Sequence, residues 1–219
     1  MTIDTSAFSR EGVLERLRGG LLPDVPAADA DETVHPDRGD HDLNPGMTPG
    51  FLATSKRRAA VLVPLIERSA GMHVILTTRT DHLPNHAGQI SFPGGKIDKG
   101  DDGPKAAALR EAREEIGLPA QMAEPQGYLD LYETSTGFRI VPLVAFIDRS
   151  FVPVPEPGEV ANVFEVPLAF LMDAANHQRG AREWKGRERQ FYVMPFKEHY
   201  IWGATAGIIR NLYDRTFGR

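Results

Sequence analysis

The feature that most constrains this chain lies within residues 75–118, where one helix is fixed at both ends and loaded with acid along one side. Pro104 suits a first helical turn, with Asp101 and Asp102 before it as cap and dipole partners. Gly117, followed by Leu118 and Pro119, is a helix stop. Between these signals lie about three to four turns. Glu111, Glu114 and Glu115 are spaced i, i+3, i+4 and share one face. Leu109, Ala112 and Ile116 are rotated away from them and can face a core. Three neighbouring carboxylates repel one another unless positive charge sits among them. Arg110 and Arg113 offer partial relief, and a divalent cation would do more. All-oxygen ligands favour a hard ion, Mg²⁺ or Mn²⁺. A solvated acidic face with ordinary salt bridges is the competing reading of the helix taken alone.

The segment before the helix weighs against that competing reading. Phe92-Pro93-Gly94-Gly95 ends an apolar run and delivers a loop to the helix. Paired glycines allow close backbone approach, so a carbonyl there is a candidate metal ligand and its amides are candidate phosphate contacts.

Gly95, Asp101 and the run Arg110-Glu111-Ala112-Arg113-Glu114-Glu115-Ile116-Gly117-Leu118 resemble the signature box of the Nudix hydrolases. Two positions depart from it: the first acidic residue is Asp, and eight residues instead of seven separate Asp101 from Arg110. Upstream, Leu76-Thr77-Thr78-Arg79-Thr80, Leu83, His86-Ala87-Gly88-Gln89 and Phe92-Pro93-Gly94-Gly95 resemble a second motif, that of the coenzyme A pyrophosphatase branch. That branch shares both departures.

The resemblance implies an α/β fold, an α/β/α sandwich around a mixed sheet. It also implies Mg²⁺-dependent (or Mn²⁺-dependent) hydrolysis of the pyrophosphate bond of coenzyme A or its derivatives, giving 3′,5′-ADP and 4′-phosphopantetheine. The alternatives are another nucleoside diphosphate substrate, such as a dinucleotide or NADH, and a non-catalytic Nudix ligand-binding module. Intact Glu111, Glu114 and Glu115 speak against the module.

Carried onto this sequence, the family's ligand set gives Glu111 and Glu115 as direct metal ligands, with Glu114 as a third ligand or bridge. Arg110 is the catalytic-site residue suited to fixing these glutamates, since a guanidinium fork matches carboxylates. Arg79 is the candidate phosphate contact, and Gly94 and Gly95 are further substrate-side positions. His86 is a second substrate-binding candidate, although a lone histidine is more often a satisfied structural residue. Asp101 and Asp102 are open between capping and a role behind the metal. Glu159 and Glu133 are candidate general bases whose default reading is surface carboxylate. Trp184, Phe191, Tyr192 and Trp202 are candidates for stacking on adenine, with a core role the ordinary reading for strand aromatics.

A net charge of -5 gives no electrostatic footprint for a nucleic acid polymer, and the partner the resemblance implies is a small-molecule nucleotide. No apolar run reaches the ~20 residues of a membrane-spanning helix. The first residues lack a basic then apolar leader, and the chain has no cysteine, which fits a cytoplasmic protein.

Along the chain, residues 6–17 read as a short amphipathic helix. Residues 19–50 are broken by Pro23, Pro26, Pro36 and Pro45 and read as an irregular arm. The resemblance implies that it packs on the catalytic domain or joins a homodimer contact, with a plain surface extension the simpler reading. We expect residues 1–50 to form this helix and arm, and 51–219 the hydrolase domain. Strands are expected at 59–66, with Pro64 marking a bulge or edge, and at 72–78, 89–92, 126–132, 138–148, 160–166, 190–196 and 199–202. Residues 180–189 read as a charged turn, and 203–217 as a closing helix.

Overall fold

A computed structural model of the chain describes residues 5–29, 34, 36, 38–45, 57–81, 88–184 and 186–218. The expected domain start at residue 51 and the candidate His86 lie outside the described residues. The elements in chain order begin with α1 (Arg10–Gly20) and β1 (Arg38–Gly39). The long strands β2 (Arg57–Arg68) and β3 (Gly71–Arg79), short β4 (Ile90–Ser91) and β5 (Gly94–Lys96), and helix α2 (Gly103–Ile116) follow. Next come β6 (Ala123–Tyr128), β7 (Tyr132–Glu133), β8 (Phe138–Ile147), β9 (Val160–Pro167) and α3 (Leu168–Leu171). The last are β10 (Gln178–Trp184), β11 (Arg187–Phe196), β12 (His199–Trp202) and α4 (Gly203–Thr216).

Among the described residues, strands β1 to β9 form one mixed sheet and β10, β11 and β12 a second, smaller one. In the main sheet β2 runs parallel to β8 and antiparallel to β3 and β5. The period-two alternation of β2 explains the layering. Val63 and Leu65 join a core cluster with α1, α3 and α4, while Ala60, Leu62 and Ile66 join another with Ala107, Ala108, Ala112 and Ile116 of α2. The result is the expected α/β/α arrangement.

Three expectations are corrected. Pro64 makes neither bulge nor edge: β2 pairs with β8 in unbroken register through Pro64 and Ala145. On its other side β5 pairs only with residues 59–61 and β3 only with 65–68, so Pro64 sits in the gap, where a missing N–H breaks no ladder. The charged turn at 180–189 is instead a hairpin, β10 and β11 paired from Gln178 with Val193 to Trp184 with Arg187. Its charges alternate between two faces instead of clustering in a loop. The described part of the arm is more than a plain surface extension and packs on the rest of the chain: Asp29 pairs with Arg58, and β1 runs parallel to β7. Ahead of it, Val13 and Leu17 of α1 are buried in the core. Asp40, 7% exposed, accepts hydrogen bonds from Ser135 N, Tyr132 Oη and the Arg189 guanidinium.

Candidate active site

Helix α2 is anchored by the alanine face that packs on β2 and β8. At its end Gly117 adopts φ 69°, and its N–H donates to Arg113 O while Leu118 N donates to Ala112 O. The carbonyls of Glu115 and Ile116 are satisfied differently. Glu156 N and Val154 N, on the proline-rich loop between β8 and β9, donate to them at 2.9 Å each. Asp102 occupies the N-cap but makes no side-chain capping bond, and Asp101 does not cap either. Its carboxylate takes a two-pronged hydrogen bond from Arg110, at 2.9 Å on each oxygen. That bond holds the Asp101 carboxyl below the usual carboxylate range.

The three glutamates occupy different surroundings. Glu115 is 3% exposed; its Oε2 accepts from Gly94 N at 3.2 Å, and Oε1 lies 3.6 Å from Arg79 Nη1. Burial pushes its carboxyl up to about 7, against the opposing pull of Gly94 N–H and Arg79. Glu111 is half-buried, and its carboxyl is also raised, by burial first, with Arg110 opposing. Glu114 is exposed and held at 3.1 Å by Arg110 Nη1, which also donates to Glu111 Oε1 at 2.9 Å. Arg110 Nη2 additionally donates to Lys96 O. Glu111 and Glu115 face the glycine loop, whereas Glu114 sits on the solvent side of Arg110.

The glycine pair is required by contact distances. A Cβ on Gly95 would lie 2.4 Å from Glu111 Oε1, and one on Gly94 would lie 2.5 Å from Ala60 O. Strand β5 can thus run against β2 and beneath the Glu111 carboxylate only with no side chains there. Arg79 reaches the same place from the end of β3.

Glu159, treated from sequence as surface carboxylate, is exposed, but its charge contributes to raising both Glu111 and Glu115. Its position is fixed by Thr80 N, which donates to Glu159 O at 3.0 Å, directly after Arg79. The other candidate base, Glu133, is not on the surface; it is 1% exposed and lies opposite Arg139 in the β7–β8 register.

Beside the glycine loop lies a cleft of about 590 Å³. Arg79, Gly94, Gly95 and Lys96 form one wall, and Arg57, Phe138, Arg182 and Trp202 extend it. Of the four aromatic candidates, Trp202 lines this cleft. Phe191 packs edge-on to it at 5.2 Å, Tyr192 packs toward α4 beneath Arg210, and the Trp184 side chain lies outside the described residues. Sequence gave no signal for Arg57 and Arg182, because their convergence depends on a hairpin read as a turn.

Residues 56–185 match the profile of the NUDIX domain. The chain belongs to the Nudix family. It is 36% identical over 170 residues to "Uncharacterized Nudix hydrolase NudL" of Enterobacter sp. (strain 638), covering 78% of this chain and 87% of the relative. The namesake of Yersinia pestis (strain Pestoides F) is 36% identical over 162 residues, covering 74% and 81%. A MutT/nudix family protein from Enterococcus faecalis superposes with a TM-score of 0.51 at 14% identity, covering 74% of this chain and 62% of that one, a likeness of fold.

Nudix hydrolases generally use a divalent metal such as Mg²⁺ or Mn²⁺. Among the described residues no three acidic or histidine side chains form a complete cation cage. The donor chemistry nevertheless fits a hard ion in kind. Two carboxylates destabilised as anions by burial, Glu111 also by Glu114 and Glu115 also by Glu111, gain from a divalent charge placed against them. Among the described residues no helix is long and apolar enough to cross a membrane.

Proposed function

We propose that this Nudix hydrolase cleaves the pyrophosphate bond of coenzyme A and its derivatives in a Mg²⁺-dependent reaction, releasing 3′,5′-ADP and a phosphopantetheine. The observation that carries this reading is the meeting of two sequence motifs at one place. Arg79, from the coenzyme A pyrophosphatase-like motif, lies against Glu115, from the Nudix-like box, with the shared Gly94 N–H on the same carboxylate.

In this reading Glu111 and Glu115 would hold the metal, which would supply charge neutralisation for the diphosphate and acidity for an attacking water. The chain's own residues do the remaining work. Arg110 fixes Glu111 from the solvent side while tied to Asp101, so the glutamate cannot swing away. Arg79 offers its guanidinium fork to a phosphate oxygen, and Gly94 and Gly95 let the diphosphate approach the backbone. Glu159, its backbone held by Thr80 N–H after β3 and its charge felt by Glu111 and Glu115, is the candidate general base for the attacking water. The cleft accommodates the nucleotide half.

The test is direct. Purified protein incubated with coenzyme A and Mg²⁺ should release 3′,5′-ADP, resolved by chromatography, at a higher kcat/KM than with NADH or a dinucleoside polyphosphate. No 3′,5′-ADP with either Mg²⁺ or Mn²⁺ would refute it.

A further inference from the structure

The smaller sheet sorts its charges by face. Alternation along β10 and β11 puts Gly180, Arg182, Arg189, Phe191 and, through β12, Trp202 on one side, while Glu183 and Glu188 fall on the other. Arg182 and Arg189 are directly opposite each other in register, a like-charge pairing that is unfavourable in itself. The Arg189 charge is answered by buried Asp40. Among the described residues Arg182 has no carboxylate partner.

What holds Arg182 is aromatic. Its guanidinium lies 4.6 Å above the Trp202 ring, and Trp202 is braced edge-on by Phe191. Phe191 fits there because position 180 is glycine; a Cβ would lie 2.7 Å from its ring. The stacking leaves the in-plane N–H donors of the guanidinium open. Arg182 and Trp202 line the cleft that also holds Arg79, Gly94 and Gly95. An exposed guanidinium stacked on an indole, with no carboxylate partner among the described residues and facing the cleft that holds Arg79 and the glycine loop, can receive a second anionic group.

The geometry points to Arg182, positioned by Trp202, as the residue that binds a phosphate monoester on the nucleotide half of the substrate, away from the diphosphate that is cut. In the reaction proposed above, on which this assignment rests, that group is the 3′-phosphate. Arg182 is then the determinant that separates a 3′-phosphorylated nucleotide from its dephosphorylated counterpart, and Trp202 acts through it as a positioning residue.

Binding of 3′,5′-ADP and of 5′-AMP to the full-length protein, measured by calorimetry, tests this without requiring turnover. The wild type should prefer 3′,5′-ADP, and Arg182→Gln should shrink the ratio of the two affinities by about tenfold or more, as expected for a lost charge-assisted hydrogen bond. Trp202→Leu should shrink it in the same direction, while Trp202→Phe, which keeps an aromatic face, should retain most of it. An unchanged ratio in Arg182→Gln, no preference in the wild type, or no binding of either nucleotide overturns the assignment. Discrimination that depends on Arg182 in a protein that fails to cleave coenzyme A would leave the assignment standing and refute the reaction.

Discussion

Arg79 Nη1 lies 3.6 Å from Glu115 Oε1, so the end of β3 and the last turn of α2 meet at one charged contact. Neither residue is near the other in sequence, and the contact forms because Gly94 N–H holds the same carboxylate in place. Arg79 alone does not offset the burial of Glu115, whose carboxyl remains raised to about 7.

The first prediction follows from that balance. A carboxyl raised from 4.5 to about 7 favours the folded state when protonated, an effect fully present below 4.5 and lost as pH rises through 7. The difference is worth on the order of 3 kcal/mol in metal-free protein. Glu115→Gln removes the titrating group. Its melting temperature in EDTA should match the wild type near pH 4.5 and exceed it progressively toward pH 8. Parallel melting curves across that window would contradict the raised carboxyl.

The same substitution should remove catalysis. A lost metal ligand forfeits several kcal/mol of transition-state stabilisation, so kcat/KM for Glu115→Gln should fall by about 10³-fold or more. Steady-state kinetics alongside circular dichroism separate this from misfolding. Near-normal turnover would remove Glu115 from the metal site.

Arg110 is held by both oxygens of Asp101 and bridges Glu111 and Glu114. Arg110→Lys keeps the charge but cannot reproduce the fork. We expect the Mg²⁺ concentration for half-maximal activity to rise roughly 10- to 100-fold, the usual cost of losing an outer-shell partner. A metal titration of activity measures this.

Gly95→Ala places a methyl 2.4 Å from Glu111 Oε1. The flexible carboxylate moves first, so activity should fall by at least about tenfold while the fold survives. Unchanged kcat with unchanged Mg²⁺ dependence would show that Glu111 does not need its present position.

Asp40→Ala leaves the Arg189 guanidinium, 8% exposed, without its buried carboxylate. Removing one partner of a buried pair costs about 3–5 kcal/mol. Urea denaturation should register that loss, and it would show that the segment around β1 contributes to the stability of the domain.

Residue patterns on a single element were legible from the sequence. The limits of α2, the packing of Ala112 and Ile116, and the strands β2 and β3 all follow from local signals. What was not legible depends on pairing between distant segments. Residues 180–189 read as a turn because their charges hide a two-residue alternation, which has meaning only once β11 lies alongside. Glu159 read correctly as a surface carboxylate, but the backbone bond from Thr80 that fixes its place after β3 was not legible. Helical spacing put Glu114 on the acidic face, but it could not say that Arg110 would hold it there.

The proline-rich loop after β8 ties its Val154 and Glu156 amides to the last carbonyls of α2 and then delivers Glu159 beside Thr80. An exposed connection of this kind is ordinarily where a chain tolerates added residues. Here a single inserted residue between 154 and 159 would leave either the helix end unsealed or the glutamate out of reach, so its length is as constrained as the sequence of the helix it closes.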